Sequence, residues 1–343
     1  MKKILVIKFG TASITHASGE PNQATIESIA RQVAALQAEY RVVLVSSGAV
    51  GAGKSLIRQY KGSLTERKAA AAIGNPLLLH LYAAAFRPYG VAIAQSLCER
   101  GHFANRRQFL QLQETYETLW ENGIVPIANE NDVVSNLELK FSDNDELAVL
   151  IAAGFGAHAL LISTSSGGLQ DAVGNIIPQV ASIDAGVLGL VRSDKSALGL
   201  GGMFSKLTYT RLATRMGIRT VFFNVAHPDA ILLALQGRSG TEFLPQPVQL
   251  RSRQRWLGSG SLITGRLTLD AGAVRALQNR KSLLAVGVRR VRGEFDQHDV
   301  IELADSHNQV VAVARANYDA AFIAEHLNAQ NLEIAHADNI VLL

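Results

Sequence analysis

Between residue 4 and about residue 235, short runs of Val, Ile and Leu alternate with longer stretches of helical periodicity, which leaves few folds open. Apolar runs fall at Ile4–Ile7, Val42–Val45, 91–95, 124–128, 158–163 and 220–225. Between them, residues 22–40 place Ile26, Ile29, Val33 and Leu36 on one helical face. Further helices are expected at 66–86, 106–121, 144–154, 203–216 and 228–236. Strands rich in Val and Ile that lack polar alternation are buried on both faces. The pattern therefore predicts an α/β fold: an open, mostly parallel sheet sandwiched by helices. Such sheets bind ligands at the carboxyl ends of their strands, so the loops there are where chemistry is expected.

The texture changes near residue 245. Pro245-Gln246-Pro247 reads as a linker, and short alternating segments follow at 262–268, 283–291, 299–304, 309–315 and 339–343. They predict a small β-rich domain over 250–343 behind a larger one over 1–245, as a 343-residue chain allows. Residues 251–292 carry 10 basic residues and one acidic, and residues 293–343 carry one basic and nine acidic. The net charge of +4 thus hides a dipolar small domain, read either as mutual neutralisation or as an RNA-facing strip. A single cysteine, Cys98, excludes an internal disulfide framework and fits a reducing compartment. The nine histidines show no metal-ligand spacing. The start of the chain has too short an apolar run for a signal peptide, and the most membrane-like stretch, Leu147–Ile162, is interrupted by Gly154, Gly156 and His158. A cytoplasmic protein, not held in a membrane, is expected.

Gly48-Ala49-Val50-Gly51-Ala52-Gly53-Lys54-Ser55 satisfies the GxxxxGK[ST] phosphate-loop pattern after a strand. The apolar strands end without an aspartate to accompany it, and Gly62 interrupts a helix starting at Lys54. A glycine-rich turn is therefore the better reading.

Four other loops carry more. Lys8-Phe9-Gly10-Thr11 leaves the first strand with a lysine beside a glycine, and Ser46-Ser47-Gly48-Ala49 offers small residues and open backbone N–H groups. Asn129-Glu130-Asn131-Asp132 follows a strand, and Ser142-Asp143-Asn144-Asp145-Glu146 heads an apolar helix. Asp143 and Glu146 are spaced as N-cap and N3, but capping needs one carboxylate and the two segments supply more. Gly201-Gly202-Met203-Phe204-Ser205-Lys206 runs into another helix, where glycine N–H groups and a helix N-terminus favour phosphate. Two lysines, an aspartate cluster and two glycine loops suggest phosphoryl transfer, which needs positioning and charge neutralisation.

In this order and spacing, Ile7-Lys8-Phe9-Gly10-Thr11, Ser46-Ser47-Gly48-Ala49, Asn129-Glu130-Asn131-Asp132, Asp143-Asn144-Asp145 and Gly201-Gly202-Met203-x-x-Lys206 resemble the amino-acid kinase family. Within it they are similar to the branch that phosphorylates the side-chain carboxylate of L-glutamate, the first step of proline synthesis. The region from Arg255-Trp256 to Leu342 resembles the PUA domain appended to many bacterial members. The resemblance implies ATP and L-glutamate as substrates, with Mg²⁺ carried by the nucleotide rather than by a dedicated protein site. Lys8 and Lys206 would neutralise the transferring phosphoryl group while Asp145 holds both. Ser47, Asn129, Asp132 and Asn144 would bind glutamate, with Asp132 facing its ammonium. Lys8, Thr164, Ser165, Leu200, Gly201, Gly202, Met203 and Lys206 would line the nucleotide side. A homo-oligomer (dimer or tetramer), feedback inhibition by proline and RNA binding through the PUA-like domain are further implied partners. The chain departs from the pattern on the nucleotide side: Thr164-Ser165 stands for Thr-Asp, Leu200 for a threonine and Phe204 for a small polar residue, and residues 170–195 look shortened. Those departures motivate one alternative, a paralogue that binds glutamate or proline and regulates a partner.

Overall fold

A computed structural model describes residues 2–99, 102–103, 106–134, 144–191, 202–247, 265–295, 297, 300–337 and 340–342. It divides into two compact units at Gln254/Arg255. In the first, the chain runs β1 (Lys3–Phe9), α1 (Thr11–Ile14), α2 (Gln23–Leu36), β2 (Tyr40–Ser46), α3 (Ala49–Gly53), α4 (Leu64–Phe86), β3 (Ile93–Cys98), α5 (Arg106–Glu121), β4 (Val125–Glu130), α6 (Asn144–Gly154) and β5 (Ala159–Ser163). It continues with β6 (Gln179–Val180), α7 (Ala185–Gly189), α8 (Met203–Arg215), β7 (Arg219–Phe223), α9 (Ala230–Leu235) and β8 (Thr241–Phe243). Eight strands form one sheet in the order β3-β4-β2-β1-β5-β7-β8-β6. Every pairing is parallel except β7 with β8. The mostly parallel sheet expected from the apolar runs is present, and the short strands β6 and β8 extend its far edge.

The core follows from the patterning. Leu5, Ile7 and Phe9 of β1 and Val42 and Leu44 of β2 pack with Ile26, Ile29 and Val33 of α2 and Tyr82 and Phe86 of α4. The stretch flagged as membrane-like is a buried helix, α6, followed by a buried strand, β5. The segment long and apolar enough to cross a membrane, among the described residues, is instead Leu64–Tyr89, which contains α4. Its Ala70, Ala71, Gly74, Asn75, Leu78, Tyr82, Ala85 and Phe86 are buried, so it serves as a core helix. A capping box between Ser63 and Glu66 starts it. Pro76 sits inside it and leaves the Ala72 carbonyl without its usual helical donor.

The second unit comprises β9 (Gly265–Leu269), α10 (Ala271–Gln278), β10 (Leu283–Leu284), β11 (Val288–Arg292), β12 (Val300–Ala304), β13 (Val310–Arg315), α11 (Ala320–Glu325), β14 (Glu333–Ala335) and β15 (Ile340–Leu342). Five strands form a sheet in the order β11-β9-β12-β13-β15, and β10 pairs with β14. The segment read as one strand at 283–291 is two, separated by a 3₁₀ turn at Ala285–Gly287. Arg266 on β9 pairs with Glu302 on the adjacent β12 at 2.5 Å, so the basic and acidic stretches do neutralise each other in part. Arg289, Arg290 and Arg292 on the edge strand β11 are exposed.

Candidate active site

The register of the central strands brings the sequence motifs to one edge. Lys8 lies beside Val45 of β2 and Ile162 of β5, Phe9 lies beside Ser46, and Val45 lies beside Ala128 of β4. The segments leaving β1, β2, β4 and β5 therefore emerge together at their carboxyl ends. The Ser47 N–H donates to the Phe9 carbonyl at 3.0 Å, tying the first two.

Three charges meet there. Lys8 is only 2% exposed and its Nζ lies 2.5 Å from Asp145 Oδ1. Lys206, in the first turn of α8, places its Nζ 2.9 Å from Asp145 Oδ2. Asp145 itself is fully buried in the first turn of α6. A buried lysine stays charged only when paired, and one carboxylate serves both ammonium groups. Two ammonium groups held beside one another in this way suit a site for an anion. Gly10 leaves open the space beside Lys8: a Cβ there would lie 3.6 Å from its Nζ. The Gly10 N–H donates to Ser163 Oγ at 3.3 Å, and Ser163 in turn donates to Ser13 at 2.8 Å.

Next to the charges is a chain of amides. Asn144 Nδ2, one residue before Asp145, donates to Ser47 Oγ at 2.8 Å and to Asn129 Oδ1 at 2.9 Å. Asn129 Nδ2 donates to Asn75 Oδ1 on α4 at 3.1 Å. Asp132 is half-buried in the turn after β4. Glu146, expected to cap the helix with Asp143, is buried and accepts from the Tyr209 hydroxyl at 3.3 Å; Asp143 lies outside the described residues. Burial pushes the Tyr82 phenol up to about 12 against the opposing hydrogen bond from Ser46, so it stays protonated in the floor of the site.

On the other side of the charges, Thr164 is buried and its N–H donates to Phe223, whereas Ser165 is exposed. Gly202 is the N-cap of α8 with no side chain capping that turn, and Met203 is half-buried beside it. Leu200 and Gly201 lie outside the described residues. An uncapped helix N-terminus together with Lys8 and Lys206 forms a donor set that fits a polyphosphate. The carboxylate at this centre is occupied by two lysines, and no cluster of three or more His, Cys, Asp or Glu side chains occurs among the described residues.

The phosphate-loop pattern at 48–55 is accounted for differently. Helix α3 begins at Ala49 and ends at Gly53, so Lys54 stands at its C-terminal end, with its side chain over Gly19. Gly48, at φ +103°, makes the left-handed turn into that helix. A Cβ at Gly53 would overlap the Ala70 carbonyl, and one at Gly74 the Ala49 carbonyl. These glycines let α3 lie backbone-to-backbone on α4, which fixes the Ser47 loop.

Asn75, Ser13 and Ser163 were not found from the sequence. Asn75 sits mid-helix and 54 positions from its partner, without a motif around it.

The model of the amino acid kinase family matches residues 3–224, and that of the PUA domain matches residues 265–336. The chain is similar to the glutamate 5-kinase of Moorella thermoacetica, 37% identical over 99% of this chain and 96% of the relative. That of Synechococcus elongatus is 36% identical, with both chains covered in full. Among solved structures, a carbamate kinase from Giardia is similar in fold, with a TM-score of 0.52 and 19% identity over 71% of this chain and 99% of its own.

Proposed function

The chain belongs to the amino acid kinase family, and from that premise we propose that it transfers the γ-phosphoryl group of ATP to the side-chain carboxylate of L-glutamate. The observation that carries the reading is the Lys8–Asp145–Lys206 bridge, set beside the Ser47–Asn144–Asn129 amides at one sheet edge. The full-length relatives supply the substrate class, because both kinase and PUA portions match glutamate 5-kinases end to end.

The chemistry needs little from the protein beyond placement. The γ-carboxylate of glutamate is ionised at neutral pH, so no general base is required. One of its oxygens attacks the γ-phosphorus, the bond to the β,γ-bridging oxygen breaks, and ADP leaves with that electron pair. Products are L-glutamyl 5-phosphate and ADP, which places the reaction first in proline biosynthesis. Lys8 and Lys206 offset the negative charge on the phosphoryl oxygens as they pass between two anions. Asp145 holds both ammonium groups so that this charge is in place beforehand. Ser47, Asn129, Asp132 and Asn144 hold glutamate, with Asp132 facing its ammonium. Thr164, Ser165, Leu200, Gly201, Gly202 and Met203 hold the nucleotide. Mg²⁺ carried by the nucleotide would supply further positive charge against its phosphates.

Coupled ADP release with L-glutamate, ATP and Mg²⁺ tests the reading, and turnover is expected to vanish in Lys206→Ala. Turnover no higher than that variant's would sink it. The family resemblance also implies a homo-oligomer and inhibition by proline, which light scattering and a proline titration of the same assay read.

A further inference from the structure

Asn75 lies on α4, outside every loop motif, and is 6% exposed. Its place in the amide chain is forced by one backbone group. The Glu130 N–H can only donate, and it meets Asn129 Oδ1 at 2.9 Å. Asn129 Nδ2 must then point the other way, where Asn75 has to present its oxygen. On the near side, Asn129 Oδ1 demands a donor, so Asn144 turns Nδ2 toward it and toward Ser47. Two buried atoms at the ends of this chain of amides have no partner among the described residues: Asn144 Oδ1 and Asn75 Nδ2. The first is an acceptor at the substrate end. The second, on the α4 side, belongs to a residue lining a cavity of about 10 Å³, bounded also by Ser46, Tyr82, Gln95 and Asn129. That volume suits about one water molecule.

We propose that Asn75 is a positioning residue that sets the polarity of the substrate-binding amides and thereby selects a dicarboxylate carrying an ammonium group. The proposal rests on the glutamate-kinase reading above. At neutral pH both carboxylates of glutamate only accept hydrogen bonds, and its ammonium is its one donor. An acceptor held at Asn144 Oδ1 meets that ammonium. Ser47, whose oxygen already accepts from Asn144, keeps its proton for a carboxylate. Without Asn75, Asn129 Nδ2 becomes a buried donor with no acceptor. It cannot flip, because the Glu130 N–H holds its oxygen. Asn129 must shift, and Asn144 shifts with it.

The test compares purified full-length wild type with Asn75→Leu and Asn75→Asp. It reads the KM for L-glutamate, the KM for ATP and the inhibition constant of glutarate, which has both carboxylates but no amino group. Asn75→Leu is expected to raise the glutamate KM about ten- to hundredfold, the equivalent of one buried unsatisfied donor. The ATP KM and the glutarate constant should stay within about threefold of wild type, a margin worth under 1 kcal/mol. Asn75→Asp keeps the accepting oxygen at the cost of a buried carboxylate, and should recover most of the glutamate KM lost in Asn75→Leu. Should Asn75→Leu fail to fold, Asn75→Ala carries the same comparison. An unchanged glutamate KM overturns the role of Asn75. So does a parallel loss of glutamate and glutarate binding, or damage from Asn75→Asp equal to that from Asn75→Leu. A wild type that does not turn over glutamate overturns the kinase reading, and this proposal with it.

Discussion

Replacing Asp145 with asparagine keeps the shape of the side chain and removes the charge that two lysines share. A carboxylate accepts from both ammonium groups, through Oδ1 to Lys8 and Oδ2 to Lys206. An amide offers one acceptor and one donor, so it can hold only one of them. Lys8 is 2% exposed, whereas Lys206 at 13% lies nearer to solvent. The variant should therefore keep Lys8 and release Lys206. Breaking a buried ion pair by removing one partner costs about 3–5 kcal/mol, and the low end applies because Lys206 regains hydration. The catalytic loss is that of one prepositioned charge at the phosphoryl group, about 10²–10³ in kcat. The site also gains a net positive charge, so sulfate should raise the melting temperature of Asp145→Asn more than that of wild type. Initial rates by coupled ADP release and thermal melts with and without sulfate measure both effects. A variant that keeps kcat within about threefold, or melts as wild type does without anion, would refute the claim that one carboxylate organises both lysines.

Two further outcomes follow from packing and titration. Gly74→Ala forces a methyl group into the Ala49 carbonyl, where backbone faces backbone, and should cost about 3 kcal/mol or more in a denaturant melt. Gly189→Ala, where nothing lies within 4 Å, should stay within about 0.5 kcal/mol of wild type, and equal losses in the two would discredit the close α3–α4 approach. Burial first, then the charges of Lys3 and Arg219, holds the pKa of His158 below its ordinary 6.5. The unfolded chain takes up a proton there that the folded one resists. Stability from this group is thus complete above 6.5 and lost as pH falls through the lower folded value. His158→Asn should flatten the decline in melting temperature between about pH 7.5 and about pH 5.5, and an unchanged slope would exclude His158 as its source.

The sheet was legible because a strand buried on both faces has only one economical sequence, a run of branched apolar residues. β1, β2 and β5 are such runs, β4 opens with Val125 and Ile127 before its polar end, and the four lie together in the sheet. β6 and β8 have two and three residues, too few for any period to show. Helices α10 and α11 in the second unit were passed over among short strands. Each nevertheless carried a readable start, since Asp270 accepts from the Ala273 N–H and Asp319 from the Phe322 N–H, both at 2.8 Å. The charged part of the site was visible because lysine beside glycine at a strand end is an uncommon arrangement with a chemical use. Asn75 was not, because a single asparagine in an Ala- and Leu-rich helix signals nothing until the fold brings Asn129 to it.

The first turn of α6 is where the two halves of the reaction meet. Asn144 and Asp145 are neighbours in sequence, and side chains one residue apart on a helix point about 100° from each other. One reaches the Ser47 hydroxyl and the Asn129 amide, which on the proposed reading hold the amino acid; the other reaches Lys8 and Lys206, which on that reading meet the phosphoryl group. A displacement of this turn must disturb both binding and transfer, whereas a change on the far side of β5 need not. Ser165, where the chain departs from the family pattern, is exposed just beyond the end of β5, and Asp145 is fully buried. On the proposed reading, a contact there that acts equally on ground and transition states would bear on the KM for ATP. The charge neutralisation at Lys8, Asp145 and Lys206 is built from other elements. That separation holds for Ser165; Phe204, another departure from the pattern, shares the first turn of α8 with Lys206, so a change there bears on transfer as well.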